Sequence, residues 1–240
     1  MFERILLMGP PSAGKTYQVL KVYETLTALG VECQIIDLED KMEAALISWG
    51  LELPKKFNIA LSWEEYAEAV GNISLKPNSW IFVDRVDLSW PMVQRWYTQK
   101  KYNEELAERM LKRSQEMKKS SMFTPRFDQG SWQVINEAYE STMLKLLYQS
   151  RCNIILTTGI KGIDENNPLD IFAHLGVAPR GQKELAHQPH SVFLLHLKRR
   201  GRELSWHITT AKDLKNRKWY DADECFDFYD QYVSEHWKPS

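Results

Sequence analysis

The sequence predicts an α/β protein in which a mainly parallel sheet lies between two helical layers. Three observations predict it. Strand-like runs rich in apolar residues recur at Ile5 to Met8, Val31 to Asp37, Ser79 to Asp84 and Cys152 to Thr158, the one closed by Asp84 being continuous. Such runs fit strands buried on both faces, as parallel strands are. Amphipathic segments separate them, and alternating strands and helices build a three-layer parallel sheet. Finally, a glycine-bearing loop joins the first run to the first helical segment.

That loop reads Gly9-Pro10-Pro11-Ser12-Ala13-Gly14-Lys15-Thr16. It has the G-x-x-x-x-G-K-T spacing of a phosphate loop, in the required order of strand, loop and helix. Gly9 and Gly14 let backbone N–H groups turn inward toward phosphate oxygens, where a Cβ would interfere. The helix that follows, with Val19, Leu20, Val22, Tyr23 and Leu26 at helical spacing, adds its positive N-terminus. Lys15 supplies a charge to the β and γ phosphates, and the Thr16 hydroxyl is a ligand for Mg²⁺. Residues 9–16 are therefore expected to bind a nucleoside triphosphate.

The remaining elements follow in order. Gly30 fits a helix C-terminal cap, and Val31 to Asp37 is the second strand. Met42 to Trp49 reads as helical and Phe57 to Leu61 as a short strand. Ser62 with Glu65 three residues on spells a capping box for a helix through Val70. Ser79 to Asp84 is a buried strand closed by a carboxylate. Residues 85–151 form a long excursion rich in helix formers, with one amphipathic segment from Pro91 to about Lys119 and a second from Trp132 to about Gln149. Cys152 to Thr158 is a further strand, Gly159 to Pro189 is loop-rich, and Val192 to Leu197 with Ser205 to Thr209 flank Arg199-Arg200-Gly201 as an antiparallel hairpin. The tail from Asp223 reads as a final helix. Residues 1–240 are expected to form one domain with a helical insertion at about 85–151.

Composition narrows the function. The formal net charge is −1, so any nucleic-acid surface must be local. Cys33, Cys152 and Cys225 are scattered, which suits buried thiols in a reducing compartment. The first strand starts at once, leaving no room for a signal peptide, and no apolar run approaches a membrane span. A cytoplasmic protein is expected. His187 and His190 have H-x-x-H spacing without a third ligand at a conventional interval, and His196 with His207 reads as a cross-strand pair.

Hydrolysis requires a second carboxylate for Mg²⁺ and a group that orients water. Asp84 ends an apolar strand at the edge where open α/β sheets bind ligands, and is the expected metal partner, with Asp87 a weaker substitute. Residue 85 is Arg, so an adjacent acidic base is absent. Glu39, following the second strand, is the candidate base; its alternative is to complement a helix N-terminus together with Asp40. Thr157 and Thr158 are candidates to sense the γ-phosphate or hold the attacking water, and Thr158 is expected to act catalytically with Lys15 and Glu39. Lys212, Lys215 and Arg217 cluster after the last strand and could reach a neighbouring subunit's nucleotide.

These residues resemble the RecA-like branch of P-loop ATPases, especially small phage and archaeal recombination-type proteins. Gly9 to Thr16 matches the Walker A loop and Asp84 ends a Walker B-like strand. Ile36-Asp37-Leu38-Glu39 is similar to the family's acidic motif, and the hairpin leading to Thr209-x-x-Lys212-Asp213 to its late strand with a cationic finger. The resemblance implies a RecA-type fold, ATP with Mg²⁺, homo-oligomers with nucleotide at subunit interfaces, and contact of the Gly159 to Pro189 loops with single-stranded DNA. The long 85–151 excursion departs from the family.

ATP is favoured over GTP because Thr210-Ala211-Lys212-Asp213 places its lysine one position late for a guanine-reading tetrad. The expected function is a Mg²⁺-dependent ATPase of DNA recombination, repair or replication. The alternatives are a small-molecule or nucleotide kinase with residues 85–151 as lid, and a packaging or remodelling motor. Cations among aromatics from Trp96 to Lys119 suit single-strand binding, and equally suit a solvated amphipathic helix.

Overall fold

A computed structural model describes residues 2–119, 127–163, 172–200, 203–214 and 228–238. Its centre is a seven-stranded sheet of order β3-β2-β4-β5-β1-β8-β9. The strands are β1 (Arg4–Met8), β2 (Cys33–Asp37), β3 (Lys56–Ile59), β4 (Trp80–Asp84), β5 (Asn153–Thr158), β8 (Ser191–Arg200) and β9 (Glu203–Asp213). Every neighbouring pair is parallel except β8–β9. β6 (Ile160–Gly162) and β7 (Val177–Pro179) form a separate antiparallel ribbon within the segment expected to be loop. Asn166-Asn167-Pro168 in that segment lies outside the described residues.

The apolar runs are explained by a core on each face. Ile5, Leu7, Ile35, Phe82 and Ile155 pack on one side under α1 (Lys15–Ala28) and α2 (Met42–Ser48). Leu6, Met8, Ile36, Val83 and Leu156 pack on the other under α3 (Trp63–Gly71), α4 (Ser89–Tyr102) and α6 (Gln129–Leu144). Strand side chains alternate in direction, so a strand between two layers needs apolar residues at every position. The helices of the 85–151 excursion belong to the second layer: Met92, Val93, Tyr97, Tyr139 and Met143 are buried in its core.

Local signals place several boundaries. The Ser62 hydroxyl accepts from Glu65 N–H at 3.2 Å, and the Glu65 carboxylate accepts from Ser62 N–H at 2.9 Å, closing the expected capping box at the start of α3. The segment from Pro91 to Lys119 is two helices, α4 and α5 (Leu106–Lys119). Asn103 ends α4 at φ 52°, a left-handed conformation that asparagine adopts more readily than most residues. α6 begins earlier than the expected Trp132, because the Asp128 carboxylate caps it by accepting from Ser131 N–H at 2.7 Å. It continues through a π turn at Lys145–Gln149. The hairpin strands run longer than their apolar cores suggested, and His196 faces His207 across them with ring centroids 5.7 Å apart. The start of the tail helix expected from Asp223 lies outside the described residues, as does Cys225. The described part is a turn at Tyr229–Val233 running into Ser234–His236. Cys33 and Cys152 are free and buried.

Candidate nucleotide site

β1 delivers the loop of residues 9–16 to the carboxyl edge of the sheet, and α1 leaves it at Lys15. Two glycines are required there for different reasons. A Cβ on Gly9 would lie 2.5 Å from the Leu195 carbonyl oxygen of β8, so the loop can pass only without one. Gly14 sits at φ 91°, where L side chains are strained, and serves as the N-cap of α1. Within the loop the Ala13 N–H donates to the Pro10 carbonyl at 3.3 Å. Ser12 also takes a positive φ of 63°. Pro10 is part-exposed, and Pro11 and Ser12 are exposed.

Lys15 folds back over the loop. Its ammonium donates to the Gly9 and Pro10 carbonyls, both at 2.9 Å. Burial lowers its pKa and the nearby Arg85 lowers it further, against the pull of Asp84, Asp87 and Glu39. Thr16 donates from its hydroxyl to Asp84 Oδ2 at 3.3 Å. The other Asp84 oxygen accepts from the Thr157 hydroxyl of β5. Only 3 % of Asp84 is exposed, and burial raises its carboxyl pKa despite the two hydroxyls; Asp37 and Glu39 raise it further. The fold therefore brings the phosphate-loop hydroxyl, a strand-end carboxylate and a second hydroxyl onto one point. These are hard oxygen donors of the kind Mg²⁺ takes, so the residues fit the implied ion.

β2 lies beside β4, and its loop reaches the same edge. Asp37 holds that loop: one carboxylate oxygen accepts from Glu39 and Asp40 N–H, the other from Lys41 and Met42 N–H, at 2.7–3.1 Å. Asp37 thus complements the start of α2, and the Glu39 side chain turns to Arg85, whose Nη1 meets Glu39 Oε1 at 2.5 Å. Arg85 also grips Asp87 with two bonds of 3.2 and 3.0 Å. The bond to Asp87 is the main reason that the Arg85 pKa is raised. Arg85 is the residue sequence reasoning noted only for the acid it replaces; that it joins Glu39 to Asp87 depends on β2 and β4 being neighbours.

Thr157 and Thr158 point to opposite faces of β5. Thr157 reaches Asp84, whereas the Thr158 hydroxyl donates to the Gly159 and Arg180 carbonyls at 3.2 and 3.0 Å. Lys212 is half-buried and its ammonium donates to the His187 and Pro189 carbonyls at 2.9 and 2.7 Å, tying that loop to β9 of the same chain. Lys215 and Arg217 lie outside the described residues. Along α4 and α5, Lys100 pairs with Glu64, Lys101 with Asp128, Lys112 with Glu104 and Arg113 with Glu116, while Arg109 lies 4.0 Å from the centre of the Tyr102 ring.

No protein-family profile matches the sequence, and no curated protein is significantly similar to it. Among solved structures the chain is similar to the KaiC-like protein PH0186 from the hyperthermophilic archaeon Pyrococcus horikoshii OT3, with a TM-score of 0.51 and 16 % identity over 90 % of this chain and 82 % of that one. The likeness is one of fold, a mostly parallel seven-stranded α/β sheet of RecA-like type with an antiparallel β8–β9 hairpin. This RecA-like core places residues 9–16 at the end of β1, with β5 and β4 on one side and the β8–β9 hairpin on the other. Among the described residues no helix is long and apolar enough to cross a membrane.

Proposed function

We propose that this chain binds ATP with Mg²⁺ and hydrolyses it. The observation that carries the reading is the meeting of Thr16, Asp84 and Thr157 beside Lys15, since loop and carboxylate come from strands separated in sequence. In this reading the N–H groups of residues 9–16 and the Lys15 ammonium hold the phosphates. Thr16 and Asp84 would hold the metal ion, which when bound would neutralise phosphate charge. Glu39 orients and deprotonates the attacking water; its charge acts on both Lys15 and Asp84. Arg85 fixes the Glu39 carboxylate in position. Thr157 holds Asp84, and Thr158 ties the end of β5 to the Arg180 loop.

One sheet with both cores supports residues 1–240 acting as one domain. The packing of α4 and α6 into the layer beneath β4 favours a structural excursion over a kinase lid. We assign the ATPase to DNA recombination, repair or replication, through homo-oligomers in a cytoplasmic setting. The support is the resemblance of the short acidic and late-strand motifs, together with the exposed Lys161. The ion pairs along α4 and α5 support solvated helix faces there and leave the Gly159 to Pro189 loops as the better place for a single strand.

The test is ATP turnover with and without single-stranded DNA, with Lys15→Ala as blank. Mg²⁺-dependent release of free phosphate, lost in Lys15→Ala and stimulated by DNA, is expected. Turnover that Lys15→Ala leaves intact would overturn the ATPase reading. A rate indifferent to every DNA would remove the recombination assignment alone.

A further inference from the structure

The catalytic side chains lie on one side of β1. Asp84, Glu39 and Arg85 come from β4 and the loops after β2 and β4, reached through β5. A triphosphate whose γ end points toward them must extend its other end the opposite way, over the start of α1 and toward β8–β9. There the structure has a cavity of about 680 Å³ between residues 12–18 and the hairpin. That is within the usual range for a small-molecule pocket of roughly 300–1,000 Å³.

One side chain dominates its wall. β9 carries Ile208 and Trp206 on the face of the sheet that α1 covers. Ile208 is in the core with Leu195 and Ala13, and two residues nearer the hairpin turn Trp206 emerges with half its surface (52 %) exposed. Trp206 pairs with Leu197 of β8, beyond the level at which Leu194 pairs with Met8, so its ring stands at the height of the phosphate loop. Its Nε1 donates to the Ser12 carbonyl at 3.5 Å. A Cβ at Gly14 would lie 3.4 Å from Trp206 Cδ1, ordinary contact distance, so the indole stands directly against the second glycine of the loop. A large aromatic left half in water, on the rim of a cavity that opens from a phosphate loop, has surface available for a flat partner.

We propose that Trp206 is the stacking platform for the nucleobase of the bound nucleoside triphosphate. This rests on the phosphate-loop reading above and adds what that loop cannot supply, a grip on the end of the ligand that carries no charge. Stacking reads a π face and not the hydrogen-bonding edge, so the platform accepts adenine and guanine alike. Trp206 thereby contributes affinity for nucleotides over bare phosphates, and base selectivity must come from elsewhere in the pocket.

The experiment is calorimetric titration of ATP, GTP and inorganic tripolyphosphate, each with Mg²⁺, into the wild-type chain, Trp206→Ala, Trp206→Phe and Lys15→Ala. Stacking on an aromatic side chain is worth about 1–3 kcal/mol per base, so Trp206→Ala is expected to weaken ATP and GTP roughly 5- to 150-fold. Tripolyphosphate, having no base, should stay within about twofold of wild type, and Trp206→Phe should recover most of the ATP affinity. Unchanged ATP affinity in Trp206→Ala would overturn the proposal. An equal loss for ATP and tripolyphosphate would overturn it too, by showing that the indole merely props the loop through Ser12. A wild-type chain that binds neither ligand, or a Lys15→Ala chain that binds both normally, would overturn the phosphate-loop reading and this proposal with it.

Discussion

On the β5–β4 side of β1, polar side chains are packed out of water and bonded to one another. On the β8–β9 side, an indole stands half in solvent above a cavity. Asp84 takes two hydroxyls, Asp37 takes four backbone N–H groups, and Arg85 spans Glu39 and Asp87. Such groups lose hydration on folding and persist only because each has a partner. The network therefore arrives pre-positioned, which is what acting on a reacting phosphate demands. The hairpin side presents half of the indole surface to the cavity, which suits holding a flat, uncharged group. In the proposed reading one end of the site serves chemistry and the other grip.

The largest effect should come from removing the base on the polar side. Glu39→Gln keeps the length of the side chain, and the loop backbone stays held by Asp37 while Arg85 keeps its two bonds to Asp87. Turnover is expected to fall about 10²- to 10⁴-fold, the usual contribution of a general base. ATP affinity should stay within about twofold, because Glu39 is assigned no contact with phosphate. Steady-state phosphate release and equilibrium titration check the split. Normal turnover would show that the polar side is not the reactive end, and the contrast between the two flanks would lose its functional meaning.

A middle-sized effect should come from the seam where the flanks meet. In Gly9→Ala the new methyl would sit 2.5 Å from the Leu195 carbonyl and 3.2 Å from Ala13 Cβ. Backbone must move, at a strain of about 1–3 kcal/mol. The melting temperature is expected to drop by about 2–10 °C and ATP affinity by at least tenfold, as the loop lifts off β8. If affinity holds while the melting temperature falls, the loop tolerates displacement from the hairpin, and the two flanks bind independently.

How much of this the amino-acid order announces depends on the range of the interaction. The phosphate loop is recognisable because phosphate chemistry fixes glycine, lysine and threonine within eight residues. Asp84 is recognisable because it closes a continuous apolar run at the edge where open α/β sheets bind ligands. The capping box at Ser62 is likewise spelled out locally. Arg85 reads only as a missing acid until β2 is placed beside β4, which brings Glu39 within its reach. Glu39 and Asp37 are two residues apart and both acidic, and only the fold shows that Asp37 caps the turn and leaves Glu39 to pair with Arg85. Trp206 carries no motif at all. Its one local sign is an aromatic on the covered face of a strand near its hairpin end, and its meaning depends on β8 lying against β1. The break at Asn103 is a local event with an ambiguous spelling, since the charged amphipathic pattern runs on through it. Strand order is the piece that composition and periodicity do not contain.

The smallest expected effect tests whether the polar flank is mechanically separate from the helical layer beneath it. α3 packs with α4 and α6 under β4, and its start is held by the reciprocal Ser62–Glu65 bonds. Ser62→Ala removes one of them, at a cost of about 1 kcal/mol, and should lower the melting temperature by about 2–4 °C. Glu65→Ala removes the other, and its effect should depend on pH. Bonds from the Leu61 N–H, the Ser62 hydroxyl and the Ser62 N–H hold the Glu65 carboxyl below its usual range. Its contribution is therefore present above the unfolded value near 4.3 and is lost as pH falls through the lower folded value. The difference between wild type and Glu65→Ala should accordingly shrink below about pH 4, while that for Ser62→Ala changes less. ATP affinity at neutral pH should be untouched in both. A cap variant that weakens ATP binding would mean that α3 and its layer set the position of Asp84 and Glu39, so that the polar flank owes its order to the helices beneath as much as to its own bonds.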